Sequence, residues 1–435
     1  MNGARGATDP YLRRLSLLLL PAAFFNGYDG ELRALLLPQL QHAFHVGVAS
    51  IGALSVPIGA GQFVAFLVVR LADRIGRRPI LLVSLLAYAA LTGATAATSS
   101  VWSFALLQGL AQVAIGTEYA LAVLVVAEES PGPTRGRALG RLLVAGPLGA
   151  IFTAALLGAG LAHTALGWRA FYLIGAAPAL LLAASRVALH ETRAFQTASA
   201  SSHARPRLSE CLAPPFGRRV ATLGAVNLLI KVPVTAGAGW WVYYAEKERH
   251  LSTGLVSLDL GVAYAIGTLG YYACGRLIDR FGRRPVAVAY VLSACALGAA
   301  LFQVGSEWAS FPLLLLAVFF GLGVDPALSA LSVESFPTRL RAQASAIVGN
   351  GFANGGELLG PALVGVLGAP GGLVGSIGGA VSVLLVLGLP AAGILGLAVS
   401  ETRGADLEAA DPLAPRPAEG VGQTSTEVTG AAAGE

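Results

Sequence analysis

Long apolar runs make up most of the chain, and short polar segments separate them. An apolar run of about 20 residues can cross a hydrocarbon core of roughly 30 Å as a helix. The runs predict twelve membrane-spanning helices, at 14–40, 49–70, 79–98, 101–127, 139–162, 168–189, 219–245, 254–275, 285–304, 308–334, 342–368 and 373–399. Pro326 lies inside the tenth run, and we expect it to break that helix locally.

Two polar segments do not fit this pattern. Residues 190–218 are rich in Ser, Ala, Pro and Arg and predict a cytoplasmic linker, and residues 401–435 predict a disordered cytoplasmic tail. The domains are therefore predicted as a first six-helix bundle over 1–189 and a second over 219–400.

Composition agrees with a membrane protein. Hydrophobic residues form 55% of the 435 residues and charged residues only 12%, about half the charged fraction of a soluble domain. The net charge of +5 does not indicate nucleic acid as a partner, because the arginines lie in short loops between apolar runs. We expect the lipid bilayer as the partner and a monomer as the state of the protein.

The arginines also predict the orientation. Every arginine except Arg33, Arg169 and Arg249 falls on one side if both termini are cytoplasmic, as the positive-inside rule requires. Arginine greatly outnumbers lysine, which hints at a GC-rich bacterial genome. The predicted location is the inner membrane of a bacterium.

Three short phrases occur twice at nearly equal spacing. They are "RLADRIGRRP" (70–79) with "RLIDRFGRRP" (276–285), "GTEYALAVL" (116–124) with "GVDPALSAL" (323–331), and "PTRGRA" (133–138) with "PTRLRA" (337–342). Each half holds an even number of helices, so both halves enter the membrane in the same direction. An all-α fold is predicted, with two six-helix bundles related by a pseudo-twofold axis along the membrane normal.

The first pair of phrases resembles the major facilitator superfamily over about residues 12–402. The loop signature of that family is G-x-x-x-D-R-x-G-R-R, and Val69 replaces its leading glycine in the first copy. The resemblance implies a cytoplasmic gate, in which the aspartate can lie at the N-terminus of a neighbouring helix. Its residues would be Asp73, Arg74, Gly76, Arg77 and Arg78 in one half, and Gly275, Asp279, Arg280, Gly282, Arg283 and Arg284 in the other.

A narrower resemblance rests on "ESFPTRLR" (334–341), "EESPGPTRGR" (128–137) and "SETRGADLE" (400–408). These phrases are similar to those of the sugar-porter and metabolite:proton symporter side of the superfamily, where their charged residues form an inner network. The resemblance adds seven residues to the predicted gate: Glu128, Glu129, Arg135, Arg137, Glu334, Arg339 and Arg341.

Seven ionisable residues stand out inside the predicted spans: Asp29, Glu31, Arg33, Glu118, Lys231, Asp325 and Glu357. Charges at mid-bilayer cost about 2.5–3.5 kcal/mol each on insertion scales, so these should pair or line a wet cavity. Asn26, Asp29 and Arg33 share one helical face, whereas Glu31 points roughly to the opposite side. Asp29 could carry a proton while Arg33 binds a substrate carboxylate, or the two could form an ion pair.

The other intramembrane groups have two interpretations each. Glu118 and Asp325 occupy matching positions in the two halves, either facing the cavity as proton carriers or tying neighbouring helices. Lys231 is either a counter-ion for the acids or an anion ligand. Trp240 ends the seventh helix among other aromatic residues, which is typical of an interfacial belt, while stacking on a substrate is the alternative.

One face of the eleventh helix is also polar and predicts cavity lining. It carries Asn350, Asn354 and Glu357. The proton-coupling candidates are thus Asp29, Glu118, Asp325 and Glu357. The substrate-cavity candidates are Asn26, Glu31, Arg33, Lys231, Trp240, Asn350 and Asn354.

The predicted function is secondary transport of a small organic anion or related metabolite by proton symport with alternating access. Alternatives are a drug:proton antiporter, whose helix-5 motif is incomplete in "LLVAGPLGA" (142–150), and a sugar symporter, whose paired glutamines are missing from "NLLIKVPV" (227–234). A non-transporting receptor on the same scaffold is a third. No enzyme activity, metal or cofactor is predicted, because no catalytic or ligand spacing occurs and no P-loop is present.

Overall fold

The computed structural model describes residues 10–129, 132–186 and 208–403. In these ranges the regular secondary structure is helical, and we number the twelve long helices α1 to α12. Their bounds are α1 Pro10–Phe44, α2 Val48–Ala53 with Ser55–Ile75, α3 Arg77–Thr95, α4 Val101–Glu129, α5 Gly132–Gly158, α6 Arg169–Arg186, α7 Phe216–Tyr243, α8 Thr253–Phe281, α9 Arg283–Gln303, α10 Glu307–Glu334, α11 Thr338–Ala346 with Asn354–Leu367, and α12 Ile377–Leu385 with Gly388–Ala398.

Some helices contain irregular turns. A π-helical turn, Tyr244–Glu248, extends α7, and a longer one, Ile347–Ala353, joins the two parts of α11. The predicted break at Pro326 is wrong, because α10 continues through that residue. A proline removes one backbone hydrogen bond from a helix, and neighbouring helices in a membrane can compensate for that loss.

The basic loops turn sharply at a glycine in both halves. α2 ends and α3 begins at Gly76, whose φ is +110°, and Gly282 makes the same turn between α8 and α9 with a φ of +103°. Residues with a Cβ rarely adopt such positive φ values. The glycine of each basic phrase therefore allows two antiparallel helices to follow one another without a longer loop.

The helices pack as two bundles with matching contacts. In the first bundle α1 packs on α5, α2 on α4, and α3 on both α4 and α6. In the second, α7 packs on α11, α8 on α10, and α9 on both α10 and α12. Each contact of the first bundle recurs six helices later, which agrees with the predicted pseudo-twofold arrangement.

The bundles meet through α1 and α7, α2 and α11, and α5 and α8. Close approaches along these seams, such as Gly52 beside Gly365 and Gly158 beside Ser257, lie away from the arginine-rich loops. Tyr243 also crosses between the bundles there and donates to the Gln41 Oε1, at 2.9 Å. The two bundles are thus joined at the end opposite the arginine-rich side, which is the predicted outer end.

Membrane insertion is supported by the composition of the helices. Among the described residues, nine helices are long and apolar enough to cross a bilayer. Large apolar side chains such as Leu67, Val83 and Leu269 are exposed on the outside of the bundles. In a bilayer these side chains would contact lipid tails, whereas in water their exposed apolar surface would be unfavourable.

Small residues bring the backbones of neighbouring helices together inside each bundle. A Cβ on Gly149 of α5 would overlap the backbone oxygen of Phe24 on α1. Glycine and other small residues are typical of closely packed membrane helices. The contact between α1 and α5 therefore depends on this position having no side chain.

Replacing Gly149 with valine should separate α1 from α5. Overpacking a tight contact costs typically about 1–3 kcal/mol, so the melting temperature of Gly149→Val in detergent should fall. Gly393→Val is the control, because a Cβ at Gly393 meets no atom within 4 Å. Equal melting temperatures for the two variants would contradict this account of the contact.

Candidate functional site

A cavity of about 490 Å³ lies between the two bundles, within the range usual for small-molecule sites. Residues of both bundles line it. Most of the predicted intramembrane charges contribute to the lining, together with one predicted amide: Asn26, Asp29, Glu31, Arg33, Lys231, Asp325 and Glu357.

Asp29 is almost completely buried beside the cavity. The side-chain amide of Gln112 on α4 donates to Asp29 Oδ2 at 2.6 Å. The second carboxylate oxygen meets no donor at hydrogen-bond geometry within the described residues, and the buried Tyr88 hydroxyl of α3 is a neighbour of this carboxylate. A buried carboxylate with an unsatisfied oxygen is costly, because the protein solvates its charge poorly. Gln112 is a residue of the site that the sequence did not single out, since it stands about three helical turns into an apolar run.

Arg33 lies one turn beyond Asp29 on α1. Neither of the acids next to it on the helix comes within 4.0 Å, so the Asp29–Arg33 ion pair considered from the sequence does not form. Within the described part of the chain, Arg33 makes no ion pair and no side-chain hydrogen bond; its electrostatic neighbours are Tyr172, Glu31, Glu357 and Asp29. Its guanidinium lines the cavity as a cation without a bound acid.

Glu31 lies closer to the site than the helical spacing indicates. The sequence predicts that it points away from Asp29 and Arg33, yet all three line the same cavity. The reason is that α1 packs against both bundles, on α5 and on α7, so the cavity reaches more than one side of this helix.

Lys231 forms a triad with two acids of the second bundle. Its Nζ lies 2.9 Å from Asp325 Oδ1 and 3.6 Å from Glu357 Oε1. The lysine side chain is 17% exposed, while those of Asp325 and Glu357 are 33% and 35% exposed. The counter-ion interpretation of Lys231 agrees with this geometry, and one negative charge remains in excess if both acids are ionised.

The structure contradicts the predicted cavity position of Glu118. It is completely buried between helices, and Ser84 on α3 donates to its Oε2 at 3.0 Å. Asp325, its counterpart in the second bundle, lines the cavity instead. The two bundles share packing but not side-chain environment, so the symmetry of the sequence did not extend to this pair.

The aromatic cluster at the end of α7 also differs from the prediction. Trp240 does not line the cavity: it is fully buried, and its indole N–H donates to the backbone oxygen of Pro361 at 2.9 Å. Its neighbour Trp241 lines the cavity instead. Tyr243 and Tyr244 are buried too, so these residues form a packed cluster inside the protein rather than an interfacial belt.

The polar face of α11 contributes less than predicted. Glu357 lines the cavity, whereas Asn354 is half-buried outside its lining. The π-helical turn before Asn354 changes the angular spacing of the residues, so the i, i+4, i+7 face of a regular helix is lost. The Asn350 side chain lies outside the described residues.

A second charged network lies at the arginine-rich end of the second bundle. Arg283 donates through its Nε and one Nη to Glu334, with distances of 2.9–3.3 Å, and Thr402 Oγ1 donates to the same carboxylate. Asp279 lies 3.5 Å from Arg283, but its side chain is mostly exposed. These contacts join the ends of α8, α9, α10 and α12 within one bundle.

The acid at the N-terminus of α9 is Glu401, and not Asp279 as predicted. Its carboxylate accepts from the backbone amides of Arg283 and Arg284 at 2.9 and 3.0 Å. Burial raises the pKa of Glu401, but hydrogen bonds from these amides and those of Thr402 and Arg403 outweigh that effect and hold the pKa below its usual value. The sequence offered "SETRGADLE" as a signal without identifying this residue.

The remaining gate candidates have mixed environments. Gly275 has no atom near its Cβ position, Arg280 lies over the ring of Phe281, and Arg341 donates to the backbone oxygen of Phe336. In the first bundle Arg77 is buried, and Arg78 and Glu129 each have an interaction partner. Six of the predicted side chains lie outside the described residues: Asp73, Arg74, Glu128, Arg135, Arg137 and Arg339.

Comparison with known proteins also indicates a membrane transporter. The profile of the Major Facilitator Superfamily matches residues 19–245 and 235–423. The putative niacin/nicotinamide transporter NiaP of Bacillus subtilis is 28% identical over 321 residues, which cover 72% of this chain and 77% of the relative. The cis,cis-muconate transport protein of Acinetobacter baylyi is 27% identical over 373 residues, covering 81% of this chain and 87% of the relative.

The fold is similar to that of a solved transporter. The inward open conformation of the xylose transporter XylE from E. coli has a TM-score of 0.71 and 18% identity, covering 92% of this chain and 98% of XylE. At this identity the similarity concerns the fold alone.

Neutralising Lys231 tests whether it serves as a counter-ion. Lys231→Met should lower the melting temperature in detergent, because Asp325 and Glu357 then face each other without a cation. Adding Asp325→Asn restores the original net charge of the triad, so the double variant should recover part of the loss. A double variant no more stable than Lys231→Met would contradict the counter-ion role, and Asp259→Asn at the outer end of α8 is the control for a lone acid.

Proposed function

The chain belongs to the Major Facilitator Superfamily, and we propose that this secondary transporter moves a small organic anion together with protons by alternating access. The superfamily membership and the metabolite transporters among its relatives support transport of a metabolite. The anion and the protons are inferred from the side chains of the cavity.

The unpaired guanidinium of Arg33 carries the proposal. It lines the cavity, and no acid lies within 4.0 Å of it in the described part of the chain. An arginine offers a planar set of donors that fits a carboxylate in a bidentate manner. A substrate carboxylate would supply the close counter-charge that none of the described acids provides.

Lys231 is a weaker candidate for the same role. Two acids of its own bundle already lie near its ammonium group, so an anionic substrate would have to compete with them. A free guanidinium and a neutralised ammonium in one cavity favour Arg33 as the substrate ligand. The names of two relatives refer to niacin/nicotinamide and to cis,cis-muconate. Niacin and muconate are carboxylates, which agrees with an anionic substrate for this chain.

Asp29 is the acid best placed to bind and release a proton when the substrate binds and leaves. It is buried, it has one unsatisfied oxygen, and it lies one helical turn from Arg33. Carboxylate binding at Arg33 would withdraw part of the positive potential from Asp29, which favours its protonated form. Anion and proton would then move as a pair with less charge to carry across the membrane.

Alternating access would use the two ends of the molecule. The bundles are joined at the predicted outer end, for instance by the Tyr243–Gln41 hydrogen bond, so the described state would open toward the cytoplasm. The network around Arg283 and Glu334 holds the inner ends of one bundle together. We expect the equivalent charged residues of the first bundle to meet this network when the inner side closes, with both termini in the cytoplasm of a bacterial cell.

Transport by purified protein in proteoliposomes tests both residues. With labelled niacin as the probe, an inward-directed proton gradient should drive its accumulation by the wild type. Arg33→Gln should reduce both accumulation and counterflow at least about tenfold, because the carboxylate loses its ligand.

Asp29→Asn should separate coupling from binding. This variant should lose gradient-driven accumulation while it retains counterflow, which needs no net movement of protons. Glu118→Gln is the matched control, since that acid is buried away from the cavity, and gradient-driven accumulation should persist. Accumulation that survives in Asp29→Asn would reject Asp29 as the coupling acid, and wild-type uptake that ignores a protonophore would reject proton symport altogether.

A further inference from the structure

The part of the cavity inside the second bundle is chemically different from the part around Arg33. Its lining from α9 and α12 consists of Ala294, Gly298, Leu301, Phe302 and Leu385. The outer part of α10 adds further apolar residues, from Leu314 to Leu322. No polar side chain occurs in this set, whereas the polar lining from the second bundle lies elsewhere in the chain, at Lys231, Thr235, Tyr264, Tyr271, Asp325 and Glu357. The helices α9 and α12 and the outer part of α10 thus give the cavity an apolar wall.

We propose that this apolar wall, which we name the apolar pocket, binds an aromatic or alicyclic ring of the substrate. The transported molecule is then a monocarboxylate with an uncharged, largely apolar ring. This inference rests on the proposed function in one respect, because the carboxylate is assigned to Arg33. It adds the chemistry of the rest of the substrate.

Small residues give the apolar pocket its space. Its lining includes Gly237 and Ala238 of α7, Ala294 and Gly298 of α9, and Gly321 of α10. A closely packed bundle would fill these positions with larger side chains, because an apolar void forfeits dispersion contacts with the atoms around it. A ring of the substrate would restore those contacts.

Aromatic side chains bound one side of the apolar pocket. The rings of Trp241 and Phe302 are 5.9 Å apart with an interplanar angle of 86°, so an edge of one meets the face of the other. Both residues line the cavity. Such an arrangement offers a further aromatic ring the offset or edge-to-face contacts that aromatic groups prefer.

The same lining disfavours two other kinds of anion. The hydroxyl groups of a sugar acid would lose water against the lining side chains of α9, α12 and the outer part of α10, which offer no hydrogen-bond partner. The second carboxylate of a dicarboxylate would be buried without a cation, since Lys231 is already near two acids. A monocarboxylate with an apolar ring leaves neither group unsatisfied.

Binding of a matched set of acids to the purified protein tests the proposal. Quenching of tryptophan fluorescence is a suitable readout, because Trp241 lines the cavity. Benzoate and cyclohexanecarboxylate should bind at least about tenfold more tightly than gluconate, glutarate and acetate, since the ring is transferred from water to an apolar site. Gluconate or glutarate binding as tightly as benzoate would overturn the proposal.

Adding methyl groups to the apolar pocket gives an independent test. Among the described residues, a Cβ at Gly321 meets only Val234 Cγ1, at 3.9 Å, and a Cβ at Gly237 meets its nearest atom at 3.7 Å, so alanine fits at both positions without strain. Gly237→Ala/Gly321→Ala should weaken benzoate binding about tenfold and leave acetate binding unchanged. Gly393→Ala is the control, because that glycine lies outside the cavity lining and has open space around it.

The outcomes separate the two proposals. An unchanged affinity for benzoate in the double alanine variant, with melting temperature equal to that of the wild type, would overturn the apolar pocket even if Arg33→Gln abolishes binding. Benzamide bound as tightly as benzoate, in the wild type and in Arg33→Gln, would instead support the apolar pocket and overturn the carboxylate ligand assigned to Arg33.

Discussion

The cost of a bare charge inside a membrane protein governs the arrangement of this cavity. Lys231 lies next to Asp325 and Glu357, while Asp29 relies on a side-chain amide for one of its oxygens. A charge in a medium of low dielectric constant is stable only beside an opposite charge, a strong hydrogen-bond donor or water. In the described part of the chain Arg33 has no acid within 4.0 Å and no side-chain hydrogen bond, and this exception is what makes the cavity a candidate site for an anion.

The two bundles contribute different side chains to the cavity although their packing repeats. The first bundle supplies Arg33 and the buried Asp29, and the second supplies the triad around Lys231 together with the apolar pocket. Glu118 and Asp325 illustrate the difference: they align in the sequence, but one contacts Ser84 inside its bundle and the other lines the cavity. A duplicated scaffold thus lines one cavity with two different walls.

The contacts that join the two bundles at the outer end are close, and they are of two types. Glycine positions such as Gly52 and Gly365 allow the bundles to touch at the outer end, and hydrogen bonds such as Tyr243–Gln41 add directional contacts there. At the arginine-rich end, Glu401 and Glu334 hold the α8–α9 loop to its own bundle. Strong contacts inside a bundle and small contact surfaces between bundles are the conditions under which each bundle can move as a unit.

The sequence by itself determined the number of spans, their duplication and the glycine turns of the basic loops, because apolar length and a positive φ are local requirements. It also identified most charges of the cavity, since an ionisable residue inside an apolar run must pair with another group or line a polar cavity. Only the tertiary structure decided which charges meet. Trp241 rather than Trp240 faces the cavity, Gln112 reaches Asp29, and Glu401 takes the helix terminus expected for Asp279. These outcomes depend on the rotation and packing of helices far apart in the chain. Within α11, a π-helical turn also changes which residues share a face.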